Sequence, residues 1–218
     1  MLKDRYGNEL STSSVAARDA YLAGVDSLMA ATPGMDTAFQ ASVEADDGFA
    51  LGHISLARAK QLLGRGHEAK APLVRAKELA AGTTAREQSQ IAIFDKILTG
   101  QGMAALDAIH EHMKSWPRDA MALAPATSVF GLIGFSGKVG REVDQLAILE
   151  PFEKHYGDDW WYRTQLAFAQ IELSKLDDGE RNIEKALAGY PRSAHAAHIR
   201  GHLFYEVGER EAGLAFLT

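Results

Sequence analysis

Cysteine is absent from this 218-residue chain, which excludes disulfides, thiolate nucleophiles and thiolate metal ligands and leaves the redox compartment open. Proline is scarce, with six residues, so few positions forbid a helix. Positive charge is not in excess: 23 Lys and Arg against 29 Asp and Glu give a net charge of -6. Without a basic face the chain has no general means of neutralising phosphates, so no nucleic-acid partner is expected. No apolar run reaches the roughly 18 residues of a membrane-spanning helix, and Met1-Leu2-Lys3-Asp4-Arg5 lacks the apolar stretch of a secretory signal. The expectation is a cytoplasmic protein with no membrane partner.

What is present is helical periodicity. Ser11-Thr12-Ser13-Ser14 is a cluster of N-cap residues, and Val15, Leu22, Val25, Leu28 and Met29 follow at helical spacing until Thr32-Pro33-Gly34. A second helix is expected from about Met35 to Ala45, completing a region of N-terminal helices over 1–48. Beyond it two segments superimpose when shifted by 34 residues. Ala167 falls on Gly201, Gln170 on Phe204, Gly179 on Gly213 and Ile183 on Leu217, and Pro191 closes the first copy. Upstream, the spacings of Ala57, Ala69 and Ala76 equal those of Ala167, Gly179 and Ala186.

A helix-turn-helix unit of this length, with small residues in both helices and a terminal proline, resembles the tetratricopeptide repeat (TPR). The resemblance implies an all-α fold, a TPR-like α-solenoid of stacked antiparallel helical hairpins over 49–218. Units are expected near 49–82, 84–118, 119–157, 160–193 and 194–218, the last incomplete. Gly64-Arg65-Gly66 and Gly100-Gln101-Gly102 turn the first two. Thr84-Ala85-Arg86-Glu87 has the pattern of a capping box. The third unit is expected to run helically from Asp119 through Phe130 and to turn around Gly134. In the truncated last unit Leu214, Phe216 and Leu217 lack a polar cap, so this end is expected to belong to a longer protein or to meet a second copy in a homodimer. Gly201 is expected to be packed too tightly to accept a larger side chain.

The chain also resembles the tetratricopeptide repeat protein 38 family. The resemblance is carried in order by Leu10-Ser11-Thr12-Ser13-Ser14, Gly52-His53, Arg86-Glu87-Gln88, Pro117 and Asp119 with Ala122-Leu123, Gly134, His198 with His202, and Gly213-Leu214 with Phe216. It implies an all-helical repeat protein about twice this length, of which this is an N-terminal half, and attaches no reaction. The chain departs from the family's pattern at Thr127-Ser128, where a His-Asp pair is expected, and at Tyr205, where an acidic residue is expected before Glu206.

Candidate functional residues follow from the repeat phase, which turns the first helix of each hairpin toward a groove. His195, His198, His202, Tyr205 and Glu206 share a helical stripe; Arg58 and Gln61, and Glu87, Gln90 and Phe94, occupy corresponding positions on earlier units. The expected function is an interaction scaffold binding a peptide, protein or small ligand in the groove, with no cofactor. The alternative is a metal-binding protein or enzyme that uses His198, His202 and Glu206, since two histidines at i and i+4 can reach one ion. His110-Glu111-His112 is not expected to hold a metal, because neighbours two apart point different ways on a helix and Lys114 stands where a second histidine would be needed, and it is expected to be a solvated face. Gly134-Phe135-Ser136-Gly137-Lys138-Val139 lacks the glycine at 138 of a nucleophile elbow and the Ser or Thr at 139 of a phosphate loop. Trp160, Trp161 and Tyr162 are expected to pack, with Asp158 or Asp159 capping their helix.

Overall fold

The computed structural model of the chain describes residues 1–127 and 130–218. Apart from two strands of two residues each, the regular structure of the described residues is helical. The chain forms two compact units, one of Met1–Leu28 with Pro33–Leu123, the other of Met29–Thr32 with Ala124–Thr218.

The first unit opens on a hairpin rather than a helix, with β1 (Leu2–Lys3) antiparallel to β2 (Glu9–Leu10). Its turn is made by Asp4, whose carboxylate accepts the amides of Tyr6 at 2.9 Å and Asn8 at 2.8 Å, while Gly7 takes a left-handed φ of 86°. Strands this short show no alternation in sequence. Next come α1 (Val15–Met29) and α2 (Met35–Ala45). Ser14 of the N-cap cluster starts α1 by accepting the amide of Ala17 at 3.1 Å. The rings of Tyr21, Phe39 and Phe49 close the core between these helices, with Tyr21 5.9 Å from Phe39 and 5.3 Å from Phe49.

Two antiparallel hairpins follow, α3 (Ala50–Leu62) with α4 (Lys70–Leu79) and α5 (Ala85–Leu98) with α6 (Gly102–Ser115). The capping box at α5 is formed in full: Thr84 accepts the amide of Glu87, and Glu87 reaches back to the amide of Thr84 at 3.0 Å. Glu87 also accepts the amide of Ser11 at 2.8 Å, which ties the N-terminal segment to the start of α5. The next helix, α7 (Ala120–Leu123), has four residues before a 3-10 turn takes over at Ala124–Ala126. The helix expected from Asp119 therefore ends at Leu123, because Pro125 lacks an amide hydrogen and disfavours α geometry in the residue before it; Ser128 and Val129 of that expectation lie outside the described residues.

In the second unit a 3-10 turn at Gly134–Ser136 and left-handed Gly137 and Gly140 lead into α8 (Arg141–Leu149) and the short α9 (Glu153–Tyr156). Val139, 97% exposed, sits between those glycines, so the Gly134–Val139 run is an open turn. Then come α10 (Trp160–Glu172), α11 (Leu176–Gly189), α12 (Ala194–Glu206) and α13 (Arg210–Leu217). Trp161 and Tyr162 are buried; Tyr162 stacks on Tyr156 at 4.8 Å and donates its hydroxyl to the Leu149 carbonyl at 2.8 Å. Ala167, Phe168, Ile171, Ile183, Ala186, Ala196, Ile199 and Leu203 make one apolar core between α10, α11 and α12.

Helices α10 and α12 begin at Trp160 and Ala194 and end at Glu172 and Glu206, a shift of 34 residues at both ends. Their N-caps obey the same shift, Asp159 accepting the amide of Tyr162 and Ser193 that of Ala196. The turns inside four hairpins share one hydrogen-bond scheme. Arg65, Gln101, Lys175 and Glu209 donate to the carbonyls of Lys60, Lys96, Gln170 and Phe204; Gly64, Gly100, Ser174 and Gly208 donate to Gln61, Ile97, Ile171 and Tyr205. This is the Schellman arrangement, which needs a left-handed residue at its second donor. Three of the four are glycine. The exception, Ser174, carries a Cβ at a φ of 57°. Ser174→Gly is expected to stabilise the protein by about 0.5–1 kcal/mol, the left-handed penalty less the entropy that glycine adds to the unfolded chain, measured as a higher urea midpoint.

Candidate functional site

The candidate polar face of the second unit is made by α12 together with Glu172, the exposed last residue of the otherwise mostly buried α10. Periodicity carries His198 and His202 to the same side of α12, and the packing of α10 against it brings Glu172 alongside. His202 Nε2 is 3.1 Å from His198 Nε2, and His202 Nδ1 is 3.3 Å from Glu172 Oε1. The edge of His202 meets the buried ring of Phe168 at 5.9 Å. Tyr205 extends the face and is 71% exposed. Glu206 is exposed at the end of the helix.

His195 lies deeper on the same helix. Its amide donates to the Ala30 carbonyl at 3.0 Å, and its Nδ1 is 3.4 Å from the side-chain nitrogen of buried Gln165. Burial pushes the His195 imidazole down to about 4, with a smaller contribution from the neighbouring His198 charge. His198 is also lowered, first by partial desolvation and then by His202. Both therefore favour the neutral imidazole, the form with a lone pair to offer.

An open cavity of about 340 Å³ in the same unit is lined by Glu153, Arg163, Gln170, Arg181, Asn182 and Lys185, among others. Its buried cation is already matched. Arg163 donates to Glu153 at 2.7 Å and to Asn182 at 2.9 Å, and lies 3.1 Å from Asp158, which Lys185 also approaches at 3.0 Å. Positive and negative groups alternate along this wall, so it offers no concentrated field for an anion.

In the first unit, Glu87, Gln90 and Phe94 have 0–1% of their surface exposed and point into the interior. Glu87 serves the capping box and Ser11, and Gln90 accepts a hydrogen bond from Arg86 at 3.0 Å. Arg58 is half-buried and donates to Gln61. Burial brings its guanidinium down to about 10. Of the groove candidates, the structure thus joins His198 with His202, joins Arg58 with Gln61, places Glu87, Gln90 and Phe94 in the core, and leaves Tyr205 and Glu206 exposed. Thr127 is buried, and Ser128 lies outside the described residues.

The tightest polar constellation in the first unit is one the motif reading passed over. His110 and Glu111 are solvated as expected, but His112 faces inward with a fully buried side chain. It shares the inner face of α6 with Ala105, Ile109 and Met113. Its Nδ1 is 2.9 Å from Ser89 Oγ and its Nε2 3.1 Å from Asp119 Oδ2; Arg86 donates to the same carboxylate oxygen at 2.6 Å and to the Glu9 carbonyl at 2.8 Å. Burial by itself raises a carboxyl pKa, but the His112 hydrogen bond and the Arg86 charge outweigh it and hold Asp119 below the usual carboxylate range.

A serine, a histidine and an aspartate in line invite comparison with a nucleophilic triad. The setting argues against one. Ser89 lies in the second turn of α5, where backbone amides are committed to the helix and none is free to form an oxyanion hole. His112 has no exposed surface through which a substrate could be reached, and Asp119 is neutralised by Arg86. These groups join β2, α5, α6 and the start of α7.

Neither the models of known protein families nor the curated proteins contain a match to this chain. Its function is therefore argued from geometry. Among the described residues no helix is long and apolar enough to cross a membrane, and no group of three or more His, Cys, Asp or Glu is arranged to hold a metal ion.

Proposed function

We propose that the chain is a TPR-type interaction module of the kind its sequence resembles, an α-solenoid of stacked hairpins that binds an extended peptide segment of a partner protein along the first helices of its repeats. The observation that carries this reading is the agreement of α10 and α12 in length, N-cap and closing turn at a shift of 34 residues, with the same turn chemistry at Gly64 and Gly100. Such repetition presents equivalent helix faces side by side, and a ligand that lies across them meets the same geometry more than once. Fold alone fixes no function, so the assignment depends on what the face offers. Tyr205 offers an exposed ring beside the exposed Glu172 and His198 and the half-buried His202, a mixture suited to a peptide with polar and aromatic side chains. The proposed compartment is the cytoplasm.

The test is selection from a random peptide library, followed by fluorescence anisotropy on the untagged chain. Micromolar binding is expected, with a loss of tenfold or more, about 1.4 kcal/mol, when Tyr205 and His198 are both changed to alanine. Lys77→Ala, on the exposed surface of α4, should leave it unchanged. Selection of no saturable ligand, or equal binding by both variants, would remove the reading. The same proposal assigns Leu214, Phe216 and Leu217, which are 67%, 42% and 60% exposed on α13, to self-association, and light scattering reads this directly.

A further inference from the structure

The two imidazoles of α12 are arranged in a way that peptide binding does not require. His198 and His202 direct their Nε2 atoms toward each other at 3.1 Å, with ring centroids 4.7 Å apart and planes inclined by 70°. On the other side of His202, Nδ1 lies 3.3 Å from Glu172 Oε1. A carboxylate can only accept, so this contact places a proton on His202 Nδ1, and in the neutral ring Nε2 is then the lone pair. That lone pair faces a second imidazole nitrogen. In the protein alone one proton bridges the two Nε2 atoms.

The same gap has the bite of a chelate. With metal–nitrogen bonds of about 2.0–2.1 Å, two imidazoles on one ion stand about 3.3–3.4 Å apart at a tetrahedral angle and about 2.8–3.0 Å apart at a right angle. The observed 3.1 Å falls between these limits, so either geometry needs only a small adjustment of the rings. The carboxylate behind His202 is the second independent feature: a ligating histidine is oriented when its other nitrogen donates to a carboxylate, which also raises its basicity. Access is open, since His198 is exposed and the His202 side chain keeps 33% of its surface.

We propose that His198 and His202 form a two-nitrogen site for a borderline divalent cation, Cu²⁺ first and Zn²⁺ less tightly, with Glu172 as the positioning residue. Glu206, the third ligand suggested by helical spacing, is not needed. Two protein donors leave further coordination positions to water or to a donor carried by a partner. Imidazole selects ions of this class over Mg²⁺ and Ca²⁺, and affinities for a fixed nitrogen set rise from Zn²⁺ to Cu²⁺.

The test is isothermal titration of untagged, chelator-treated protein with Cu²⁺, Zn²⁺ and Mg²⁺ separately. One equivalent of Cu²⁺ is expected to bind at micromolar concentration, Zn²⁺ at least tenfold more weakly and Mg²⁺ not at all. His198→Ala, a change at an exposed position, should weaken Cu²⁺ at least tenfold while the far-ultraviolet circular dichroism is unchanged. Glu172→Gln should weaken it about tenfold through orientation, with both imidazoles in place. His110→Ala, on the solvated face of α6, should bind like the wild type. The electron paramagnetic resonance of the Cu²⁺ form should show two coupled nitrogens, and one in His198→Ala. Absence of saturable Cu²⁺ binding below about 100 µM overturns the proposal, as does a His198→Ala/His202→Ala titration that superimposes on the wild type.

Discussion

Asp119→Ala is expected to destabilise the protein by about 3–5 kcal/mol, because it leaves the Arg86 guanidinium buried without its counter-charge. Both side chains lie within the first unit, with 6% and 2% of their surface exposed, so water cannot replace the lost carboxylate. Asp119 also accepts from His112 and from the amide of Ala122, and those donors are orphaned together. The urea midpoint should fall by about 1–2 M at an ordinary slope. Changing Arg86 to Met and Asp119 to Leu together should recover much of the loss, since an apolar pair of similar volume removes both charges at once. If the double variant is as unstable as Asp119→Ala alone, the hydrogen bonds, not the ion pair, carry the stability.

The same carboxylate makes stability depend on pH. Its pKa is held below the ordinary value in the folded protein, so the folded state binds fewer protons than the unfolded chain as acid is added. The contribution is complete above the unfolded carboxyl pKa of about 3.9 and is lost as pH falls through the lower folded value. Asp119→Asn should therefore show a flatter stability profile below about pH 4 than the wild type.

Gly179→Ala should cost about 1–3 kcal/mol, whereas Gly201→Ala should be neutral or stabilise by up to about 1 kcal/mol. A Cβ built on Gly179 would stand 2.5 Å from Ile171 Cγ1, a side chain locked in the α10–α11–α12 core. At Gly201 the neighbour that a Cβ would meet among the described residues is Leu217 Cδ1, at 3.7 Å, an ordinary contact. For a methyl group the overpacking expected at Gly201 is thus absent, and alanine there gains helix propensity at no steric cost. Thermal midpoints of the two variants moving in the same direction would contradict this placement.

The pair also shows where the sequence is legible. A small residue at a 34-residue period marks the helices that approach each other, but the period cannot say which copy has a neighbour pressing on it. The tight approach at Gly179 is set by Ile171 across the turn; at Gly213 its counterpart is Phe204, 3.0 Å away. His112 illustrates the same limit. Counting residues separates it correctly from His110, yet only the arrival of Arg86 and Asp119 from other elements makes the inner position polar. Glu172 could have been suspected from its place one turn beyond Phe168, but its link to His202 requires the lateral packing of α10 on α12.

By itself the sequence determined the helical class, the register of α10 and α12, the capping box at Thr84 and Glu87, the hairpin turns at Gly64 and Gly100, and the N-caps to within the Ser11–Ser14 cluster and the pair Asp158 and Asp159. These are local consequences of hydrogen-bond donors, left-handed conformations and side-chain spacing within a few residues of one another. Only the tertiary structure decided that Glu87 and Gln90 are interior, that His112 closes a buried ion pair and that His202 is backed by Glu172. Each of those depends on groups distant in sequence meeting where water is excluded or partly excluded, and there the energy of a polar group is set by its partner.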